Sequence, residues 1–91
     1  MPKFLVVHQL TTPMTAESAA PLAKKICADC TVDAYWVGSW AQLNTEGKIV
    51  NVFCRWNGVS ADAIQQVLAK TPELPTEGIY PMATLDSGDF R

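Results

Sequence analysis

Two cysteines three residues apart, Cys27 and Cys30 in the run KKICADCTVDAYW, carry the spacing most suggestive of chemistry in this chain of 91 residues. C-x-x-C supports thiol–disulfide exchange when its first cysteine opens a helix, where backbone N–H groups and the helix dipole stabilise a thiolate. It also forms half of many zinc sites. Here the pair falls at the end of a predicted helix, with Asp29 between its members. The dipole and the carboxylate both oppose a thiolate there. A zinc site needs two further ligands, and only His8 and Cys54 remain, on separate predicted strands. The spacing therefore reads as helix-end packing, with a reactive dithiol as its rival.

His8 is the sole histidine. On a desolvated face it could act as a general base or as a lone metal ligand. Arg55 could orient an anionic substrate beside it. No Gly-rich phosphate loop, paired carboxylates or Ser/His/Asp pattern is present. Glu73, Glu77, Asp86 and Asp89 are scattered through loops and the tail and read as solvated charges.

Composition narrows the class. The net charge is −2 with seven Lys plus Arg, so no basic patch exists to neutralise a phosphate backbone, and nucleic acid is not an expected partner. At 48% hydrophobic and 18% charged residues the chain is too apolar for disorder. The opening MPKFLVVHQL has too short an apolar core for a signal peptide or a membrane span. Three cysteines, an odd number, then point to free thiols and a cytoplasmic location. A single domain of this length buries only roughly 60–65% of its unfolded surface, so self-association would add stability.

The elements that must position these residues follow from pattern. KFLVVHQL (3–10) reads as a strand ending at TTP. Thr15 offers a helix N-cap, and Ala19, Leu22, Ala23, Ile26 and Cys30 repeat at helical spacing. Pro21 inside that pattern is expected to kink the helix or delay its start. AYWVGSWAQL (34–43) and KIVNVFCRW (48–56) are strands joined by a hairpin loop, NTEG. Ser60 caps a second helix with Ile64, Val67 and Leu68 on its apolar stripe, ending before Pro72. IYPMATL (79–85) is a last strand, confined by Pro81 to a sheet edge or a bulge. The order β-α-β-β-α-β predicts an α+β, ferredoxin-like fold: a single domain over 1–91, a four-stranded antiparallel sheet, and two helices on one face.

Alternation then sorts the faces. With Leu43 opposite Lys48, the pairs Ala41–Val50, Ser39–Val52 and Val37–Cys54 form a small apolar layer under the helices. The alternate set pairs Gln42 with Ile49, Trp40 with Asn51, Gly38 with Phe53 and Trp36 with Arg55, the last a candidate cation–π contact. Placing Leu5 and Val7 under the helices puts Phe4, Val6 and His8 on that open face. Large aromatics left in water would form an exposed apolar patch, so another subunit, a ligand or both should cover them.

The run AYWVGSWAQLNTEGKIVNVFCRWNGVSADAIQQVL resembles a family of small bacterial proteins of unassigned function. The likeness lies in its aromatic-Val-x-Ser-aromatic strand, its FC strand and its S-A-D-A-I helix start, with MPKFLVV similar to the family's first strand. The best described member is a nickel-binding, ferredoxin-like homodimer. The resemblance implies two subunits packed sheet to sheet in a dimeric α/β-barrel arrangement, with a transition metal such as nickel as candidate cofactor. The chain departs from the family at Gly38, where members carry His, and at Asn57, where they carry an acidic residue.

The expected function is a small cytoplasmic homodimeric binding protein that holds a small apolar or aromatic ligand, or a metal ion, between two sheets. Val6, Trp36, Trp40, Asn51, Phe53 and Tyr80 are the expected ligand-binding residues. The rival is a small dimeric α/β-barrel enzyme, isomerase- or monooxygenase-like, using His8 for proton transfer and Arg55 for substrate orientation. A membrane is not an expected partner.

Overall fold

The computed structural model describes residues 1–91. Strand β1 (Lys3–Met14) leads into helix α1 (Ala16–Asp29), then strands β2 (Ala34–Leu43) and β3 (Ile49–Gly58), helix α2 (Ala61–Leu68), strand β4 (Gly78–Met82) and a single 3₁₀ turn, Ser87–Phe90. The four strands form one antiparallel sheet in the order β2-β3-β1-β4. The architecture is α+β, and its 19 Å thinnest dimension accommodates one sheet and one layer of helices.

Local chemistry accounts for the element ends. Thr15 Oγ1 accepts a hydrogen bond from Ser18 N at 3.1 Å, and Ser60 Oγ accepts one from Ala63 N at 3.1 Å, so each helix opens on a side-chain cap. Helix α1 begins at Ala16 and runs through Pro21. The expected delay does not occur, because Pro21 and Glu17 lie on the exposed side, where water can serve the carbonyl that loses its N–H partner. The β2–β3 hairpin closes through Asn44, whose Oδ1 accepts from Glu46 N and Lys48 N, and Gly47 takes the left-handed φ of 76° that the turn needs. Pro81 sits on β4, an edge strand paired only with β1.

One face of the sheet packs against both helices. Val6, Ala34, Cys54 and Trp56 from the strands join Ile26 of α1 and Ile64, Val67 and Leu68 of α2 in the core. Lys25 ties the helix layer together: its Nζ donates to Lys70 O and to Thr71 Oγ1, and it pairs with Asp29 at 3.2 Å.

Register differs from the simple hairpin count. Leu43 pairs with Ile49, Gln42 with Asn51, Ala41 with Val52, Trp40 with Phe53, Ser39 with Cys54 and Gly38 with Arg55. Trp36 then pairs with Trp56, leaving Val37 as an unpaired extra residue. This bulge reverses the alternation along β2, so Trp36 turns under the helices while Trp40 stays on the open side. A second irregularity at Val50 sets Ile49 under the helices, where it is buried. On β1, Val6 lies opposite Cys54 and His8 opposite Val52, so both point into the helix-covered layer and Leu5 and Val7 point out. The expected parity of β1 was inverted, since its two alternate sets are equally apolar.

The core leaves little slack at Gly58, where an added Cβ would stand 2.9 Å from Ile64 Cγ1 and 3.3 Å from the Ser60 carbonyl oxygen. Gly58→Ala should lower unfolding free energy by about 1–3 kcal/mol, the usual range for overpacking, in a chemical denaturation curve with unchanged m-value. An unaltered midpoint would show that α2 moves freely there.

Candidate functional site

The expected site residues divide between two faces of the sheet. Trp40, Asn51, Phe53, Arg55 and Tyr80 lie on the open face with Leu5. Val6, His8 and Trp36 lie beneath the helices. Val6 is completely buried in the core and borders neither cavity described below. His8 and Arg55 project from opposite sides of the sheet and cannot act on one substrate within one chain. Trp36 does not face Arg55 either; its indole N–H donates to Ser39 Oγ at 2.8 Å.

The open face carries a groove of about 540 Å³ bordered by Lys3, Leu5, Val37, Trp40, Arg55 and Met82. Trp40 is 77% exposed, and Val37 and Met82 are each about half exposed. The Arg55 guanidinium lies across Gly38: a Cβ at that glycine would come within 2.9 Å of Nη2. Arg55 makes no ion pair, since the one salt bridge joins Lys25 to Asp29. Asn57, which lines the groove, donates from Nδ2 to Tyr35 OH at 3.2 Å, and Asn51, which does not, donates from Nδ2 to Gln42 Oε1 at 2.9 Å. Tyr80 folds over Gly78 and donates to Glu77 Oε2 at 2.8 Å; that bond to a carboxylate raises the phenol pKa. The face thus combines an aromatic surface with two uncompensated cations, Arg55 and Lys3.

A second, smaller cavity of about 130 Å³ lies between α1 and the sheet. Ala19 and Ala23 of α1 face Ser39, Ala41 and Val52 across it, with His8 and Trp56 in the wall. His8 is fully buried. Its Nδ1 lies 3.0 Å from the Pro75 carbonyl oxygen, which can only accept, so the proton resides on Nδ1 and Nε2 carries the lone pair. Nε2 has no hydrogen-bond partner, and neither has Nε1 of Trp56. Burial lowers the His8 pKa against the opposing pull of the Pro75 bond, so the ring is neutral at pH 7. Cys54, the other titratable group in the wall, has its thiol pKa raised by burial, partly offset by the 3.0 Å hydrogen bond with Ser39 Oγ. Sequence reasoning missed Trp56 because it closes a strand run and carries no motif. Only its parity with Cys54, two residues earlier, signals an inward side chain.

Cys27 and Cys30 stand at the C-terminal end of α1, as the sequence indicates. Cys27 is exposed, whereas Cys30 is half-buried and its Sγ donates to Ile26 O. Desolvation is the leading cause of the raised Cys30 pKa, with Cys27 and Asp29 adding to it and the Trp36 N–H opposing it. No three His, Cys, Asp or Glu side chains converge anywhere in the chain, so its residues do not by themselves fit a nickel or zinc ion. At Gly38 the neighbour is a guanidinium, which repels a metal cation.

No family model matches the sequence, and no curated protein matches it. A solved structure does match: SCO4226 from Streptomyces coelicolor A3(2), at a TM-score of 0.74 and 18% identity over 92% of this chain and 99% of that one. At that identity the likeness establishes a shared fold. No helix of the chain is long and apolar enough to cross a membrane.

Two measurements check these environments. His8 has a folded pKa below the ordinary value of about 6.5, so the folded state binds fewer protons than the unfolded chain between the two values. Stability should fall as pH drops below about 6.5, by at most about 1.4 kcal/mol per pH unit, and level off beneath the folded pKa. His8→Asn, which keeps an N–H donor near Pro75, should remove that slope; an identical slope would assign it to another group. Thiol labelling of the native protein should modify Cys27 first, Cys30 slowly and Cys54 only on unfolding. Early labelling of Cys54 would show that the helix layer opens readily.

Proposed function

We propose that this protein is a small homodimeric binding protein of ferredoxin-like fold. Its open sheet face packs on a second copy and encloses a small aromatic or apolar ligand beside Arg55. The element order and a sheet in which β1 lies between β3 and β4 support the ferredoxin-like description. The observation that carries the functional reading is Trp40, 77% exposed on an apolar sheet face beside a guanidinium without a counter-charge. A tryptophan so exposed, together with Val37, Tyr80 and Met82, is the composition of an interface core, in which aromatics and Arg are enriched. The groove volume of about 540 Å³ lies in the range of small-molecule sites. Arg55 and Lys3 favour an anion at its rim, while Trp40 offers a ring face for stacking. A bound metal ion is disfavoured by the same two cations.

Native mass spectrometry of the protein, purified without chelators, should give a dimer, and Trp40→Glu should give a monomer. 2-Naphthoate, as an aromatic anion, should bind the wild type, and Arg55→Met should weaken it about tenfold or more while leaving the dimer intact. A wild-type monomer at micromolar concentration would overturn the dimer, and equal naphthoate affinity in Arg55→Met would overturn the anion site.

A further inference from the structure

Residues 83–91, which follow β4, are exposed throughout. Their side-chain hydrogen bonds and the turn bond stay within the segment: Gly88 N to Asp86 Oδ1, Asp89 N to Asp86 O, and Arg91 Nη2 to Ser87 Oγ. Two large apolar side chains stand on it, Leu85 at 83% and Phe90 at 76% exposed. Single exposed apolar residues are ordinary on protein surfaces. What sets this segment apart is its match to the open-face groove. There Gly38 pairs with Arg55 and Trp40 with Phe53, so Arg55 and Trp40 are diagonal neighbours on one face. They offer a bare aromatic ring beside a guanidinium that lacks a counter-charge. Asp89 and Phe90 carry the complement on adjacent residues, a carboxylate in no ion pair next to an exposed phenyl ring. Arg91, the segment's one cation, is turned onto Ser87. The segment does not fill the groove of its own chain. Ala83 and Thr84 border that groove, but beyond them Leu85 and Phe90 stay exposed, as does Trp40.

We propose that segment 83–91 of one chain lies in the open-face groove of a second copy, with Phe90 against the partner's Trp40 and Asp89 beside the partner's Arg55. Phe90 leaves water for an aromatic surface, and the Asp89 carboxylate meets a guanidinium that can bind it through two N–H groups. Twofold symmetry makes the exchange reciprocal: each copy gives its segment and receives the other's. The inference rests on the dimer and the Arg55 site proposed above, and it adds their regulation. An aromatic anion takes the same ring and the same guanidinium, so it enters the groove by displacing the partner's Asp89 and Phe90. The groove is then open to ligand only in the fraction of dimers whose segment has swung out, which lowers the apparent affinity by that fraction.

Isotope-filtered NMR of wild-type dimers, one chain labelled with ¹³C and the other unlabelled, tests this directly. NOEs should join the Phe90 ring of one chain to the Trp40 indole of the other, and saturating 2-naphthoate should remove them. Phe90→Ser should weaken the dimer about tenfold or more in sedimentation. Its circular dichroism should match the wild type, because Phe90 is exposed in its own chain. A dimer without those NOEs, and with unchanged affinity in Phe90→Ser, would overturn the proposal and leave the sheet-to-sheet dimer standing. NOEs between Phe90 and Trp40 of the same chain would overturn it as well, since the segment would then close its own groove. NOEs that persist once 2-naphthoate has bound would overturn the displacement. A monomer at NMR concentration would sink both this placement and the dimer on which it rests.

Discussion

The extra residue at Val37 is the constraint on which the arrangement of side chains depends. On β2, Ala34 and Trp36 must meet the helix layer at one end of the strand, and Ser39 and Ala41 must meet it at the other. Strict alternation cannot satisfy both, because Ala34 and Ser39 differ in parity. The bulge resolves the conflict by adding one residue between Trp36 and Gly38. Without it, either Ala34, which has no exposed surface, would face outward or Trp40 would have to enter the core. Trp36 inside and Trp40 outside are two consequences of one insertion.

Strand β3 runs regularly opposite that break and distributes two chemistries. Phe53, Arg55 and Asn57 look outward; Val52, Cys54 and Trp56 look inward. The outward set shares its face with Val37, Trp40 and Met82, whose exposed apolar area a chain of this size can hide only by association, since a small domain has a high ratio of surface to volume. The inward set accumulates the opposite problem, polar atoms withdrawn from water. Cys54 shares a hydrogen bond with Ser39, but Nε2 of His8 and Nε1 of Trp56 have none. Each such orphan costs about 1–3 kcal/mol, a large share of the stability of a small domain.

The elements were legible in the sequence because their ends are written in local chemistry. Thr15 and Ser60 cap, Gly47 turns, and Pro81 restricts, and each does so in the structure. The placement of Cys27 and Cys30 at a helix end was equally readable from spacing. Facing was not. Phe4 and Val6 are as apolar as Leu5 and Val7, so β1 offers no internal signal of which set is buried. Val37 is β-branched and fits an ordinary strand position, so nothing in its type announces a bulge. With those two ambiguities resolved wrongly, His8, Val6 and Trp36 were expected among the open-face residues. Trp40, Phe53 and Arg55 were placed correctly because they lie beyond the reach of either error.

The cavity beneath α1 has a definite origin in residue size. The helix presents Ala19 and Ala23 toward Ser39 and Ala41 of β2, small side chains against small ones, where larger residues would have closed the gap. The space opens to solvent beside Ser39 and Ala41, which are exposed, so it is a cleft in the helix–sheet layer and not a sealed void. Two residues of its wall, His8 and Trp56, each carry one buried nitrogen without a hydrogen-bond partner. An apolar residue at position 8 would remove the first of them and leave the Trp56 N–H as it is. Natural sequences break such local rules chiefly where function compensates for them.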